Sequence, residues 1–234
     1  MIATEFEFRY RSLLNLIHFW VAFQLYSFDH VNVVWAFFPW NNPRGAFVAR
    51  IVFGFGALIL AVAAAIRTWA AAYLQSTVVH DTALHAERIV ADGPYRHVRN
   101  PLYIGTFLMA FGLGLLASRS GFVVLVVGAA IRIRRLIGRE EFQLEQQQGE
   151  RFREFCRRVP SILPSIRPRI AAAGLTPRWR QALWGEAIMW GLFVTMIAFT
   201  VTLRDRVAEV LGGTTMVLWL SQRLVWRSRK KANA

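Results

Sequence analysis

The feature that most constrains the fold of this chain is a run of 28 residues, 46–73, in which Arg50 and Arg67 are the only charged side chains. Crossing a bilayer as a helix takes ~20 mainly apolar residues, and arginines near the ends of such a run can extend towards the headgroups. Five further apolar runs accompany it, and 55% of the 234 residues are hydrophobic. The sequence therefore predicts an all-α, polytopic transmembrane helical bundle of about six spans, at 12–28, 46–73, 102–118, 121–137, 181–203 and 207–226.

The connections between these runs predict how the chain is organised. Only Arg119 and Ser120 separate the third run from the fourth, and only residues 204–206 separate the fifth from the sixth, which is typical of tight helical hairpins. Polar residues with interspersed aromatics at 139–158 predict a cytoplasmic amphipathic helix, and Pro160 ends it. We expect one membrane domain, 1–234, with a motif-bearing core at 78–164 and an additional C-terminal hairpin at 181–226.

Basic residues fall mainly on one side of the predicted bundle. Of the 28 lysines and arginines, 22 lie in the termini and long loops of one side and 4 lie on the other, and basic segments near spans are retained in the cytoplasm. Both termini are therefore predicted to be cytoplasmic, and membrane topology rather than a nucleic acid partner accounts for the net charge of +14. The predominance of arginine over lysine favours a GC-rich, bacterial genome, and hence the inner membrane. The single cysteine, Cys156, excludes an internal disulfide and a thiolate metal site, and we expect no metal.

Residues 93–105, which read Gly-Pro-Tyr-Arg-His-Val-Arg-Asn-Pro-Leu-Tyr-Ile-Gly, lie where a cytoplasmic loop enters the third span. Gly-Pro and Asn-Pro predict two turns, and the second begins a helix whose free N–H groups can bind an anion. Arg99 offers a guanidinium suited to a carboxylate. After the fourth span, Glu140 and Glu141 place two carboxylates on the same side. Together these segments can bind a ligand with a carboxylate, an ammonium and a sulfonium; a basic juxtamembrane loop and a solvated helix start are the alternatives.

From about residue 78 to 164 the chain resembles the isoprenylcysteine carboxyl methyltransferase and phospholipid methyltransferase superfamily of integral membrane enzymes. The resemblance is carried by Gly-Pro-Tyr at 93–95, Arg-Asn-Pro-Leu-Tyr-Ile-Gly at 99–105, Glu-Glu-Phe-Gln-Leu at 140–144, and Gly-Glu-Arg-Phe at 149–152 leading to Val-Pro-Ser-Ile-Leu-Pro at 159–164. It implies S-adenosylmethionine as cofactor, bound between the segment before the third span and the helix after the fourth. The cofactor contacts that it implies are Tyr95, Asn100, Pro101, Leu102, Tyr103 and Glu140, and further upstream His80, Glu87, Arg88, Ile89 and Val90.

The chain departs from the family pattern at two positions. Asn100 stands where the eukaryotic pattern has a histidine, so a hydrogen-bonding side chain is kept but the titratable imidazole is lost. Leu136 stands where the carboxyl methyltransferases have an arginine expected to hold the substrate carboxylate. Arg135 and Arg139, which flank Leu136, become the candidate substrate-binding residues.

The resemblance implies methyl transfer, which is an in-line displacement that requires aligned reactants and the exclusion of water. An amine acceptor must also lose a proton, and Glu141 is the nearest candidate base; Arg99 and Glu141 are therefore the expected catalytic residues. We expect a lipophilic acceptor, a lipid amine, carboxylate or thiol, that enters from the bilayer at the cytoplasmic face. Two alternatives remain: a membrane reductase of the sterol reductase class that uses NADPH, and a non-catalytic membrane protein that retains the motifs.

Overall fold

The computed structural model describes residues 2–74 and 92–232, and this part of the chain is helical without a β-strand. The all-α prediction is confirmed. Two short 3-10 helices, Leu25–Ser27 and Gly93–Arg96, supplement the α-helices. The α-helices are α1 Glu5–Arg9, α2 Arg11–Gln24, α3 Pro43–Tyr73, α4 Pro101–Gly114, α5 Arg119–Gln148, α6 Glu150–Arg158, α7 Trp179–Gly185, α8 Ala187–Thr202 and α9 Asp205–Ala232.

Helix α3 is the clearest membrane-spanning element. Its 31 residues make it, within the described residues, the one helix that is long and apolar enough to cross a bilayer by itself. Helices α7 and α8 meet the same criterion only when taken together, and a bend of 58° separates them. Helix α4 is apolar but has 14 residues, or ~21 Å at 1.5 Å per residue, which is shorter than a hydrocarbon core of ~30 Å. Six spans therefore remain a prediction.

The core of the bundle forms around α3, which packs against α4 on one side and α8 on the other. Phe53 and Leu60 of α3 and Met196 of α8 are fully buried. Small residues let the helices approach closely, as is usual between helices in membranes. At Gly112 of α4, for example, an added Cβ would lie 2.9 Å from Cγ of Leu60.

Helices α4 and α5 form an antiparallel hairpin. Near its turn, the rings of Phe111 and Phe122 pack edge to face with centroids 5.6 Å apart. At the other end, the hydroxyl of Tyr103 donates a hydrogen bond of 2.8 Å to Oε1 of Glu140. The end of α5 therefore returns to the beginning of α4, which brings the two sequence motifs together.

The predicted amphipathic helix 139–158 differs from the observed structure. Helix α5 continues without interruption to Gln148, and the chain then turns at Gly149, where φ is +55°. Glycine adopts this left-handed region without the steric cost of a Cβ. Helix α6 begins directly afterwards and buries Phe152, so two helices replace the predicted one.

Candidate functional site

A cavity of about 2060 Å³ opens inside the bundle. Its walls come from α2, α3, α4, α5, α8 and α9 together with residues 95–100 and 175–178. Pockets for small ligands usually measure ~300–1,000 Å³, so this cavity has room for a cofactor and a second, larger molecule. Aliphatic and aromatic side chains of the helices supply most of the wall, and Arg99, Glu140 and Glu141 lie where α4 begins and α5 ends.

The structure brings most of the predicted site residues together at that end. Arg99 and Glu141, the predicted catalytic pair, both line the cavity. His80, Glu87, Arg88, Ile89 and Val90 lie outside the described residues. All the predicted cofactor contacts that the structure describes line the same cavity: Tyr95, Asn100, Pro101, Leu102, Tyr103 and Glu140.

Arg99 joins three parts of the chain at the cavity wall. Its Nε and Nη2 each lie 3.0 Å from Oε1 of Glu141 on α5. Its Nη1 donates to the carbonyls of Cys156 and Val159 at 2.9 and 2.6 Å, at the end of α6. Only 13% of the side chain is exposed. The guanidinium of Arg99 thus binds Glu141 and two carbonyls at the end of α6 that would otherwise lack a hydrogen-bond partner.

Asn100 and Ser161 complete the binding of Glu141. Nδ2 of Asn100 donates to Oε1 of Glu141 at 3.3 Å and to the carbonyl of Ser161 at 3.2 Å. The hydroxyl of Ser161 donates to the same Oε1 at 3.1 Å. Oε1 therefore accepts from three residues, whereas Oε2 has no hydrogen bond within the described part of the chain. An amide at position 100 fulfils this role, because it needs only a donor. The sequence did not predict Ser161 as a site residue. Its place in the Val-Pro-Ser motif was the feature that could have indicated it.

Glu140 lies in a different environment from its neighbour. Its hydrogen bond comes from Tyr103, and burial raises the pKa of the Glu140 carboxyl above its ordinary value, while Tyr103 and Arg11 oppose that shift. Tyr95 is 8% exposed and lines the same cavity. Burial, reinforced by the charge of Glu140, raises the pKa of the Tyr95 phenol well above its usual range. Tyr95 therefore stays neutral and keeps its hydroxyl as a donor.

The backbone of residues 92–100 is fixed by a second set of contacts. Gly93 has a φ of +56°, and an added Cβ would lie 2.3 Å from the ring of Tyr73. The buried carboxylate of Asp92 accepts hydrogen bonds from the N–H groups of Ala173 and Leu175 at 3.0 and 2.9 Å. The loop is thus held between the end of α3 and the segment that follows α6.

Arg67 does not extend towards the headgroups as the sequence suggested. Its Nε and Nη2 bind the two carboxylate oxygens of Glu186 at 2.7 and 2.9 Å, at the bend between α7 and α8. Its Nη1 donates to Thr106 and to the carbonyl of Leu102 on α4. Gly105 makes room for it, since a Cβ there would lie 2.3 Å from Cγ of Arg67. The ion pair therefore ties α3, the first turns of α4 and the C-terminal hairpin together beside the cavity.

Arg135 and Arg139, the predicted substrate-binding residues, are not part of the cavity wall. Arg135 pairs with Glu7 of α1 at 2.8 Å, and Arg139 donates to the carbonyl of Ala3 at 3.0 Å. Helix geometry explains their position, because side chains three and four apart share a face.

Counting back from Glu140 on that basis reaches Leu136, Ile133 and Arg132, which all line the cavity. Arg132 is the basic residue of α5 on this face. Its Nη1 donates to the carbonyl of Leu14 at 2.9 Å, and its Nη2 also bonds to the side chain of Asn15. The 3.6-residue helical period of the sequence places Arg132 on the same face of α5 as Glu140.

The groups at the end of the cavity fit a cofactor that carries both charges. Glu140 provides a carboxylate for a cation. Asn100 gives α4 no side-chain cap. Pro101 has no N–H and the N–H of Tyr103 donates to the carbonyl of Asn100, so the N–H of Leu102 is the donor of the first turn that can bind an anion. Among the described residues, no group of three or more His, Cys, Asp or Glu side chains is arranged to hold a metal ion.

The described residues thus form a helical protein with a large cavity beside an apolar helix that is long enough to cross a membrane. Residues 49–151 match the family model described as phospholipid methyltransferase. Residues 49–151 thus resemble a phospholipid methyltransferase domain of the integral membrane methyltransferase superfamily. For that segment the match suggests methyl transfer to a lipid-type substrate. No curated protein and no solved structure matches the chain.

Proposed function

We propose that this protein transfers a methyl group from S-adenosylmethionine to a lipid acceptor at the cytoplasmic face of the bacterial inner membrane, with both termini in the cytoplasm. One observation carries the proposal: every described residue that the family resemblance assigns to the cofactor lines one cavity. The volume of that cavity exceeds the needs of a cofactor alone. The family match of residues 49–151 supports the reaction class.

Tyr95, Tyr103, Glu140 and the first turn of α4 would hold the cofactor, and bound S-adenosylmethionine would supply an electrophilic methyl group. The position of Glu141 in the cavity wall is fixed by its bonds to Arg99, Asn100 and Ser161. The apolar walls exclude water from the reacting groups and accept the chains of a lipid.

An amine acceptor requires a proton acceptor in the cavity, and the two adjacent carboxylates differ in suitability. Three residues already bind Oε1 of Glu141. Among the described residues, Tyr103 is the one hydrogen-bond donor to Glu140, and burial raises the pKa of the Glu140 carboxyl, which moves it towards the pH at which a general base works well. We infer that Glu140 accepts the proton if the acceptor is an amine; Glu141, the base expected from the sequence, is the second candidate through its Oε2.

The test uses the full chain in lipid nanodiscs. Titration calorimetry with S-adenosylmethionine should show saturable binding, and methyl-labelled cofactor should transfer label to the lipid fraction. If Glu140 is the base, Glu140→Gln should lower the rate of methyl transfer to an amine lipid by roughly 10²–10⁴-fold. Glu141→Gln keeps size and position and is the matched comparison: loss of transfer in this variant, with transfer kept in Glu140→Gln, would assign the base to Glu141.

Several outcomes would contradict the proposal. Binding of NADPH without S-adenosylmethionine would support a reductase of the sterol reductase class. Absence of binding by either compound, with the chain correctly folded, would support a non-catalytic membrane protein. Label in the protein fraction alone would refute a lipid acceptor.

A further inference from the structure

Residues 161–170, here called the 161–170 loop, present large aliphatic side chains to the outside of the protein. Ile162, Leu163 and Ile166 are 45%, 81% and 98% exposed. They lie within five residues of one another, at the start of the connection between α6 and α7. Clusters of exposed apolar side chains mark surfaces that contact a partner or a membrane.

The backbone of this loop is held in place. The N–H of Ser165 donates to the carbonyl of His97 at 3.0 Å, and Nδ1 of His97 bonds to the carbonyl of Ser165 at 2.8 Å. The N–H of Arg169 donates to the carbonyl of Arg96 at 2.9 Å, and Nε of Arg96 donates to the carbonyl of Ile170 at 2.9 Å. The loop therefore cannot turn its aliphatic side chains inwards without breaking these bonds.

The charged side chains of the loop's own sequence have one sign. Residues 161–180 contain four arginines and neither Asp nor Glu. Arg167 and Arg169 lie in the loop itself, and both are exposed. Aliphatic side chains next to unopposed arginines are complementary to a surface that is apolar below and anionic above.

The loop also lies close to the end of the spanning helix. Helix α3 ends at Tyr73, which contacts Gly93 at the beginning of the segment that binds the loop. The N–H of Arg178, further along the same connection, donates to the carbonyl of Ala72 in the last turn of α3 at 2.8 Å. The connection that carries the loop is thus fixed to the point at which α3 leaves the bilayer.

We propose that the 161–170 loop docks on the surface of an anionic lipid bilayer. Ile162, Leu163 and Ile166 insert among the headgroups, and Arg167 and Arg169 bind lipid phosphates. The loop begins at Ser161, which binds Glu141, so its docking also fixes the depth of the cavity relative to the headgroups. This inference is independent of the reaction that the cavity performs.

The experiment places an environment-sensitive fluorophore at Ile166→Cys in a Cys156→Ser background. The full chain is reconstituted in nanodiscs of phosphatidylcholine with phosphatidylglycerol. Gln147→Cys in the same background is the matched control, because Gln147 is an exposed polar position near the end of α5. Docking predicts quenching of the 166 probe by brominated lipid and its protection from iodide, and the reverse at 147.

Removing the arginines tests the electrostatic part. Arg167→Gln together with Arg169→Gln should lower the ratio of inserted to aqueous probe by roughly fivefold for each arginine removed. Discs of phosphatidylcholine alone should show a similar loss. Equal access of iodide to probes at 166 and 147 in anionic discs would overturn the proposal. Quenching by brominated lipid that changes neither with the removal of the arginines nor with the lipid charge would also overturn it.

Discussion

Replacing Glu186 with alanine should lower the free energy of unfolding more than replacing an exposed carboxylate does. Glu186 is 2% exposed and binds Arg67 with both carboxylate oxygens, and the Arg67 side chain is 20% exposed. Removing one partner of such a pair leaves a buried charge without compensation, which typically costs about 3–5 kcal/mol. The bonds of Arg67 to Leu102 and Thr106 remain in the variant, so we expect the lower part of this range.

The pair is tested by a double-mutant cycle. The single variants Glu186→Ala and Arg67→Met and the double variant are compared by thermal unfolding in detergent, followed by tryptophan fluorescence. The double variant should recover at least half of the loss, because it leaves neither charge buried without its partner. A control substitution, Glu209→Ala, alters an exposed carboxylate of the C-terminal hairpin.

Two results would refute the reasoning. If the double variant were as unstable as the sum of the singles, the two side chains would act independently and the ion pair would not be the cause. If Glu186→Ala unfolded at the same temperature as Glu209→Ala, the pair would contribute nothing measurable.

Further expected outcomes concern the loop and the termini. Gly93→Ala should cost about 1–2 kcal/mol for the left-handed conformation alone, with more from the clash with α3, and should weaken cofactor binding in calorimetry; an unchanged affinity would contradict a role for this turn. Ser161→Ala removes one of the donors to Glu141 and should reduce stability by about 0.5–1.5 kcal/mol, measured as a shift in unfolding temperature. The Arg135 side chain lowers the pKa of Glu7 from 4.5 to about 2. Because the pKa is lowered on folding, the contact stabilises α1 fully above pH 4.5, and this stabilisation is lost as the pH falls towards 2. Faster hydrogen exchange of residues 3–9 at low pH would detect the loss.

The sequence predicted which described residues line the cavity together better than it predicted the contacts among them. The residues at 95–103 and at 140–141 carry the family motifs, and a hairpin between them was visible from the short gap at 119–120. An antiparallel hairpin brings its two ends together whatever its details, so their meeting in one cavity followed from the chain alone.

Contacts between distant segments were not predictable in the same way. Arg67 and Glu186 are separated by more than a hundred residues, and nothing in the local pattern indicates that the two charges pair. The orientation of Arg135 and Arg139 depended on α1, a short helix whose docking on α5 no periodicity reveals. The end of α5 depended on a single glycine, Gly149, in an otherwise helical pattern.

The network around Arg99 and Arg67 also bears on where the folding unit ends. The family match stops at residue 151, but Arg99 binds carbonyls at 156 and 159, and Arg67 binds Glu186. A fragment ending at 151 would contain both guanidinium groups and none of these partners. The matched segment is therefore shorter than the set of residues that its buried guanidinium groups bind, and we expect a fragment that ends at 151 to lose the shape of this end of the bundle.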